Sequence, residues 1–565
     1  MAQPDLTVGG FLLRRLKALG VDHLFGVPGD FVLGFMNQAL KSELRLVGAC
    51  NELNAAYAAD GYSRRRGFGA FVTTFGVGEL SAINGVAGAY AERVPMVAIT
   101  GSPATVNFRE RPLLHHTLGD YQAPLRMYER VTVASCQLDD PARAPADIDR
   151  VLSACLAAQQ PGYLSLPADV AMAPCAWPGD FVPPPPPTTD AAALEEALTE
   201  AVALLEQANR PVIIGDVELV RFKLQAEFAE LLQRSGYPYA TLMLGKALLS
   251  ERHPQFIGLY AGMRSRAEVR ERVEGADAVL RLGALMTDFN TGGFTTRLDP
   301  SRMVSANIGH VQIRHHHYAD VHMRAFIGGL AQRLKRRNAA GMDIRSASGT
   351  SLHRSGVAYV AEPGRALTVQ RFFDRMSHFI RPGGLVVAET GVSLFSAAEM
   401  LLPDDAGFIG QAFYGSIGYT VGAALGACLA EPERQVALFV GDGAFQVTGQ
   451  ELSTMIRERA NVVVFLLNND GYTIERVISD QPYNDLQPWH YHQLPTVYGG
   501  EPGFDVRTEG ELEAALAASA SARGPCFIEV HTGRLDCPDS LRSAGRAMAA
   551  INHLEPPGAA APGAP

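Results

Sequence analysis

Two short stretches in the last third of the chain carry the strongest chemical signal. Gly441-Asp442-Gly443 and Asn468-Asn469-Asp470-Gly471 each follow a run of apolar, β-branched-rich residues, 436–440 and 462–467. Such runs are too short for helices and read as buried strands. Ligands of an open α/β sheet gather just beyond the carboxyl ends of its strands. Asp442 and Asn469 offer hard oxygen atoms, the ligands that Mg²⁺ or Ca²⁺ takes and zinc does not favour. The glycines let a phosphorylated ligand come close to the backbone. A strand-ending GDG by itself is an ordinary tight turn. The paired NN, again after a strand, turns the reading toward a metal and a phosphate held together.

Five more stretches could do chemistry. Cys50-Asn51-Glu52-Leu53-Asn54 leads into Asp60-Gly61-Tyr62, and alone it reads as a helix start with a solvated glutamate. Tyr414-Gly415-Ser416-Ile417-Gly418 would ordinarily be core packing between glycines. His115-His116 is a pair able to titrate near neutral pH, and Gly29-Asp30 and Tyr472-Thr-Ile-Glu475 add carboxylates.

Taken together these motifs resemble those of the thiamine-diphosphate enzymes, and among them the non-oxidative 2-oxo acid decarboxylases of the pyruvate, indolepyruvate and phenylpyruvate type. The indolepyruvate branch is the most similar, and the match runs over nearly the whole chain, weakest in the middle. The resemblance implies thiamine diphosphate and Mg²⁺ as cofactors, with Asp442, Asn469 and the carbonyl of Gly471 as metal ligands. It implies that Glu52 hydrogen-bonds the cofactor's aminopyrimidine and that Ile417 is the wedge that bends the cofactor. Thr74, Thr390, Gly391, Gly415, Ser416, Gly443, Ala444 and Tyr472 would make the remaining cofactor contacts. Glu52 lies about 390 positions before Asp442, so the site must join two domains. In the family it joins two chains, which implies a homodimer as the smallest active unit and a homotetramer as the expected assembly.

The HH and GYTIE elements separate decarboxylases from acetolactate synthases, which share the cofactor motifs but lack this set. Loss of CO₂ from a 2-oxo acid requires groups that give and take protons near neutral pH. Histidine does so unaided, and carboxylates do so when buried together. Asp30, His115, His116 and Glu475 are expected to form that relay. Val392 stands where many pyruvate decarboxylases carry an acid, and Leu394 where they often carry Trp. The smaller Leu394, with Phe289, Ile474, Val477 and Ile478, is expected to leave room for a bulky substrate. The expected reaction is conversion of a 2-oxo acid, indolepyruvate or phenylpyruvate before pyruvate or branched-chain acids, to an aldehyde and CO₂. The alternatives are a carboligase yielding a 2-hydroxyketone and a non-catalytic binding relative.

The elements that must position these residues follow from periodicity and composition. Short apolar runs alternate with amphipathic segments, which predicts α/β architecture: three domains, each a parallel sheet flanked by helices. The proline run at 183–187 and the Ser/Gly-rich break at 341–364 divide the chain into 1–182, 188–345 and 360–550, the pyrimidine-binding, central and diphosphate/Mg-binding domains of the resemblance. The tail 556–565, all Pro, Gly and Ala, is expected to be disordered. With 565 residues, a net charge of −10 and 47% hydrophobic residues, the chain has no general attraction to nucleic acid or anionic membrane. No apolar stretch approaches the ~18 residues of a membrane span. The seven cysteines form no CxxC, so a reducing cytoplasm is expected. His310, His315, His316, His317 and His322 invite a zinc reading but are expected to be a polar loop or strand edge. Gly245-Lys246 lacks the rest of a phosphate loop.

Overall fold

Runs of three to seven residues become the strands of three sheets. In this computed structural model, which describes residues 6–185, 187–337, 359–522 and 524–554, the first sheet contains His23–Gly26 (β1), Arg45–Gly48 (β2), Gly69–Thr74 (β3), Met96–Ser102 (β4), Ala134–Gln137 (β5) and Gly162–Pro167 (β6). All its pairings are parallel, in the order β2-β1-β3-β4-β6-β5. Every residue of β3, β4 and β6 is buried, which is why these strands read as continuous rather than alternating runs.

The second sheet contains Pro211–Gly215 (β7), Tyr239–Thr241 (β8), Phe256–Leu259 (β9), Ala278–Leu282 (β10), Met303–Asn307 (β11), His310–Ile313 (β12) and His316–Ala319 (β13). The third contains Leu385–Ala388 (β14), Gly407–Ile409 (β15), Val436–Gly441 (β16), Val462–Asn468 (β17), Phe504–Val506 (β18) and Cys526–His531 (β19). The third sheet, β15-β14-β16-β17-β19-β18, repeats the strand order of the first. The second, β13-β12-β11-β10-β7-β8-β9, departs from an all-parallel expectation: β11, β12 and β13 pair antiparallel. The reason is length. Only residues 308–309 and 314–315 join these strands, whereas a parallel crossover needs a dozen or more.

That edge hairpin carries the histidine cluster. His310, His315, His316 and His317 are exposed, and His316 pairs with Glu200 at 2.9 Å. Among the described residues no three metal-ligating groups converge there. Lys246 is likewise structural, buried against Glu251 at 2.7 Å and the Met400 carbonyl at 2.8 Å. All seven cysteines are free thiols. The proline-rich residues 182–185 lie in neither helix nor strand. Most of the second composition break and the tail from 556 lie outside the described residues.

The first and third sheets share one apolar core. Helix Glu52–Arg66 lies against helix Tyr419–Ala430 so closely that a Cβ on Gly426 would stand 1.9 Å from the Ala58 carbonyl oxygen, and one on Gly61 2.1 Å from that of Ala423. Only glycine allows this approach. A buried polar seam runs beside it. Arg64 pairs with Asp60 at 2.6 Å and Glu92 at 2.9 Å, and the Tyr419 hydroxyl donates to Asp60. Glu92 also accepts from the backbone N–H of Phe413 at 2.8 Å, and its own carbonyl accepts from Arg221 of the middle domain at 3.2 Å. Glu92 thus ties all three domains to the loop that leads into Gly415-Ser416-Ile417.

A second buried acid organises the first domain. Glu79 is fully buried; it accepts from the Gly76 N–H at 2.7 Å and from the Tyr163 hydroxyl. Burial pushes its carboxyl up to about 7, against the pull of those hydrogen bonds. The unfolded chain therefore releases this proton before the folded chain does. The contribution to stability is full below the ordinary glutamate value and declines as pH rises toward 7. Glu79→Gln keeps an acceptor for Gly76 and removes the titration. We expect calorimetry to give the variant a higher Tm than wild type at pH 8 and a much smaller difference at pH 5. An equal shift at both pH values would contradict the raised value.

Candidate active site

At the carboxyl ends of β16 and β17 the backbone turns sharply. Asp442 opens helix Asp442–Thr448 and is 2% exposed. Its carboxylate accepts from the Gly443 N–H at 2.8 Å and from the Gly471 N–H at 2.9 Å. Burial pushes it up to about 7, partly opposed by those backbone donors. One end of the Asn469 amide faces Asp442 Oδ1 at 3.3 Å and the Gly471 carbonyl oxygen at 2.8 Å. With the amide oxygen at that end, three oxygens converge with no donor between them, an arrangement that a hard divalent cation satisfies. With the amide flipped, its NH₂ donates to both in the cation's place. Gly471 has φ 129°, and a Cβ there would stand 2.1 Å from the Asn484 carbonyl oxygen. A Cβ on Gly443 would lie 2.4 Å from the Tyr472 ring. Ala444 follows within the same helix, and Glu475 is exposed on helix Thr473–Arg476.

Beside this turn, β14 ends in Glu389-Thr390-Gly391. The Glu389 carboxyl is buried and accepts from the Thr390 N–H at 3.0 Å, the Gly418 N–H at 3.2 Å and the Thr420 hydroxyl at 2.7 Å. It therefore clamps two loops together, and the Thr390 hydroxyl adds a bond to the Gln411 carbonyl at 3.3 Å. The Ser416 hydroxyl bonds Tyr57 at 2.8 Å and Asn84 at 2.9 Å. Its N–H donates to Gln411 Oε1 at 3.1 Å, while Gln411 Nε2 is buried with no partner. Gly415, at φ 66°, faces open space, and Ile417 packs half-buried on the shared core.

The carboxyl ends of β1, β2 and β3 supply the other half. Glu52 starts its helix just after the capping Asn51, whose side chain accepts from the Asn54 N–H at 2.8 Å. Among the described residues no hydrogen bond or ion pair engages the Glu52 carboxylate, which lies half-buried beside Thr74 and Gly78. Thr74 Oγ1 is buried without a partner. Asp30 accepts from His115 Nε2 at 2.6 Å and lies 3.8 Å from His116 Nε2. Phe31 stacks on His115 with centroids 5.0 Å apart. Burial alone would raise the Asp30 carboxyl; the His115 hydrogen bond and the charges of both histidines hold it below its ordinary value. Gly76, at φ 66°, sits so close to the His116 carbonyl that a Cβ would come within 2.1 Å of its oxygen. The whole cluster is solvent-facing, with Asp30 49% and His115 57% exposed. Among the described residues no bond joins it to Glu475.

Residues 6–122 match the family described as thiamine pyrophosphate enzyme, N-terminal TPP binding domain, residues 198–334 its central domain and residues 389–530 its C-terminal TPP binding domain. The chain is similar along almost its whole length to proteins named alpha-keto-acid decarboxylase. That of Mycobacterium avium is 41% identical over 547 residues, 95% of this chain and 96% of that protein. That of Mycobacterium tuberculosis strain H37Rv is 39% identical over 548 residues, covering 96% and 97%. That of Mycobacterium leprae is 38% identical over 556 residues, covering 97% and 96%. The chain belongs to the thiamine-diphosphate-dependent 2-oxo acid decarboxylase family.

The residues of this decarboxylase-family chain fit the cofactor that its domains are built to hold. With the Asn469 amide oxygen turned toward Asp442 and the Gly471 carbonyl, those three oxygens keep acceptor capacity for a cation, and the unbonded Glu52 carboxylate and the orphaned polar atoms of Thr74 and Gln411 add groups that the protein leaves without a partner.

The pocket residues divide. Ile474 lies 3.9 Å from the Cβ position of Gly391, with Ile478 half-buried nearby in sequence, and Val477 packs against Gly545. Leu394 has no exposed surface and faces Gly410, whereas Phe289 packs on Phe395, ring centroids 6.0 Å apart, in a separate cavity of about 330 Å³. Leu394 lines a different cavity, beside Gly410 and Phe408, from the one that Phe289 and Phe395 line. Sequence reading named Leu394 and missed Phe395. It also missed Gln411, which accepts from the Ser416 N–H five positions on, and Glu92 and Tyr57, which bond Phe413 and Ser416 across the chain.

Proposed function

We propose that this chain decarboxylates a 2-oxo acid to an aldehyde and CO₂, using thiamine diphosphate and Mg²⁺, as a homodimer or a larger assembly of such dimers. The observation that carries the reading is the Asp30–His115 hydrogen bond, with His116 3.8 Å from the same carboxylate, on the same sheet edge as the unengaged Glu52. When bound, thiamine diphosphate supplies the nucleophilic carbon and the electron sink that loss of CO₂ requires. Asp442, Asn469 and the Gly471 carbonyl would hold the divalent cation at the diphosphate, and Gly443 leaves room for the phosphate to approach. Glu52 would hold a proton at the pyrimidine ring. His115, oriented by stacking on Phe31, would share the proton at Nε2 with Asp30, and His116 lies 3.8 Å from the same carboxylate. Exposure of this cluster and of Glu475 in one chain supports a second copy as the cover that excludes water and completes the relay. Sedimentation of the cofactor-loaded protein should therefore show no active monomer.

For the substrate we propose an aromatic or bulky aliphatic 2-oxo acid, indolepyruvate or phenylpyruvate before pyruvate. Phe395 lies one helical turn, about 5.4 Å, beyond the Gly391 turn, and with Phe289 it offers ring faces to an aromatic side chain. The test is a panel of 2-oxo acids with aldehyde and CO₂ both measured. A hydroxyketone in place of aldehyde would mean carboligation. Phe395→Ala should lower kcat/KM for phenylpyruvate about tenfold more than for pyruvate. Leu394→Trp should instead overpack the core, costing about 1–3 kcal/mol, with a lower Tm and an unchanged substrate ratio. A ratio altered by Leu394→Trp and not by Phe395→Ala would reverse the two assignments.

A further inference from the structure

The third sheet gathers a second set of metal-ligating groups that the proposed reaction does not use. Glu529 and His531 are two apart on β19 and so project to one face. Asp505 on β18 stands directly opposite Glu529 in the parallel register. His492 arrives from the turn Tyr491–Gln493, its N–H donating to Glu529 Oε2 at 2.9 Å. His492 Nδ1 lies 2.7 Å from the same carboxylate oxygen. His531 Nε2 lies 2.6 Å from Asp505 Oδ1 and 3.4 Å from Glu529 Oε1. The ligand atoms of His492, Asp505 and Glu529 all fall within 4.8 Å of one another. Glu529 is 2% exposed.

One atom in this cluster is unsatisfied. His531 Nε2 is buried and makes no hydrogen bond despite its two carboxylate neighbours. It is near both oxygens without being aligned to either, as a nitrogen directed at a shared centre would be. Two imidazoles and two carboxylates from three segments make an N₂O₂ set, the composition that four-coordinate Zn²⁺ accepts at about 2.0–2.2 Å per ligand. Ligand atoms on such a tetrahedron stand about 3.4 Å apart; the His492–Glu529 and His531–Asp505 contacts would open by about 0.7–0.8 Å, and His531, which lies outside the three that already converge within 4.8 Å, would close on His492. Imidazole ligands select Zn²⁺ over Mg²⁺, which sets this site apart from the all-oxygen one at Asp442.

The geometry points to a Zn²⁺-class site formed by His492, Asp505, Glu529 and His531. Binding at Nδ1 would displace the proton that His492 shares with Glu529 to the other ring nitrogen, so that the neutral imidazole ligates. The ion would staple the edge strand β18 and the 491–493 turn to β19. Glu529 Oε1 also accepts from Asn468 Nδ2 at 2.7 Å, so the staple reaches the residue that precedes Asn469.

The test uses the full chain loaded with thiamine diphosphate and excess Mg²⁺, exposed to Zn²⁺, desalted and subjected to elemental analysis and calorimetric titration. One Zn²⁺ per chain should be retained and the Tm should rise. His492→Gln and His531→Gln should each weaken binding at least tenfold, and Asp442→Asn should not. Absence of retained zinc, unchanged affinity in both histidine variants, or loss that follows Asp442→Asn would overturn the site. Should a histidine variant fail to fold, diethylpyrocarbonate labelling of the wild type decides: Zn²⁺ must protect His492 and His531, and labelling that is indifferent to zinc refutes the site.

Discussion

Replacing Glu52 with Gln is expected to leave thiamine diphosphate affinity within a few-fold of wild type while lowering kcat by about 10²–10⁴-fold. The fold tolerates the change, because helix Glu52–Arg66 is capped by Asn51 and the Glu52 carboxylate makes no bond to the described protein. The chemistry does not tolerate it, because an amide neither holds nor releases a proton in this range. Exchange of the C2 proton of the bound cofactor into deuterated water, followed by NMR, should slow in parallel with turnover. An exchange rate equal to wild type would refute the assigned role, and a lost cofactor affinity would mean that Glu52 serves binding instead.

The second large effect is expected at Asp442. Asp442→Ala removes one hard ligand and also strands the Gly443 and Gly471 N–H groups that the carboxylate accepts, at about 1–3 kcal/mol for each buried donor. Both Tm and metal affinity should fall, with the Mg²⁺ concentration for half-saturation rising more than tenfold at fixed thiamine diphosphate. Asp442→Asn keeps an acceptor for one N–H but lacks the charge. It should therefore show most of the metal defect with a smaller loss of Tm. Titration of cofactor binding by intrinsic fluorescence at several Mg²⁺ concentrations separates the two. If neither variant moves the half-saturation point, the cation lies elsewhere.

The residues by themselves determined the α/β class, the strand-ending Gly441-Asp442-Gly443 and Asn468-Asn469 turns, and the start of a helix at Glu52. Each depends on interactions within a few positions: short apolar runs that suit buried strands, glycines that permit positive φ or close approach, and a capping asparagine. The antiparallel end of the second sheet is also local information, carried by its two-residue connections, whereas the parallel expectation rests on strands separated by helical segments elsewhere in the chain.

What only the tertiary structure decided depends on partners far apart in the chain. Glu92 becomes the junction of three domains because Arg64, Phe413 and Arg221 reach it. Phe395, not Leu394, shares a cavity with Phe289, and Leu394 lines another beside Gly410. Asp505 and His492 meet Glu529 only because β18 and the 491–493 turn bring them there. Secondary structure is written in neighbours along the chain. A site is written in distances between residues hundreds of positions apart, and those are set by how apolar faces of whole elements are buried against one another.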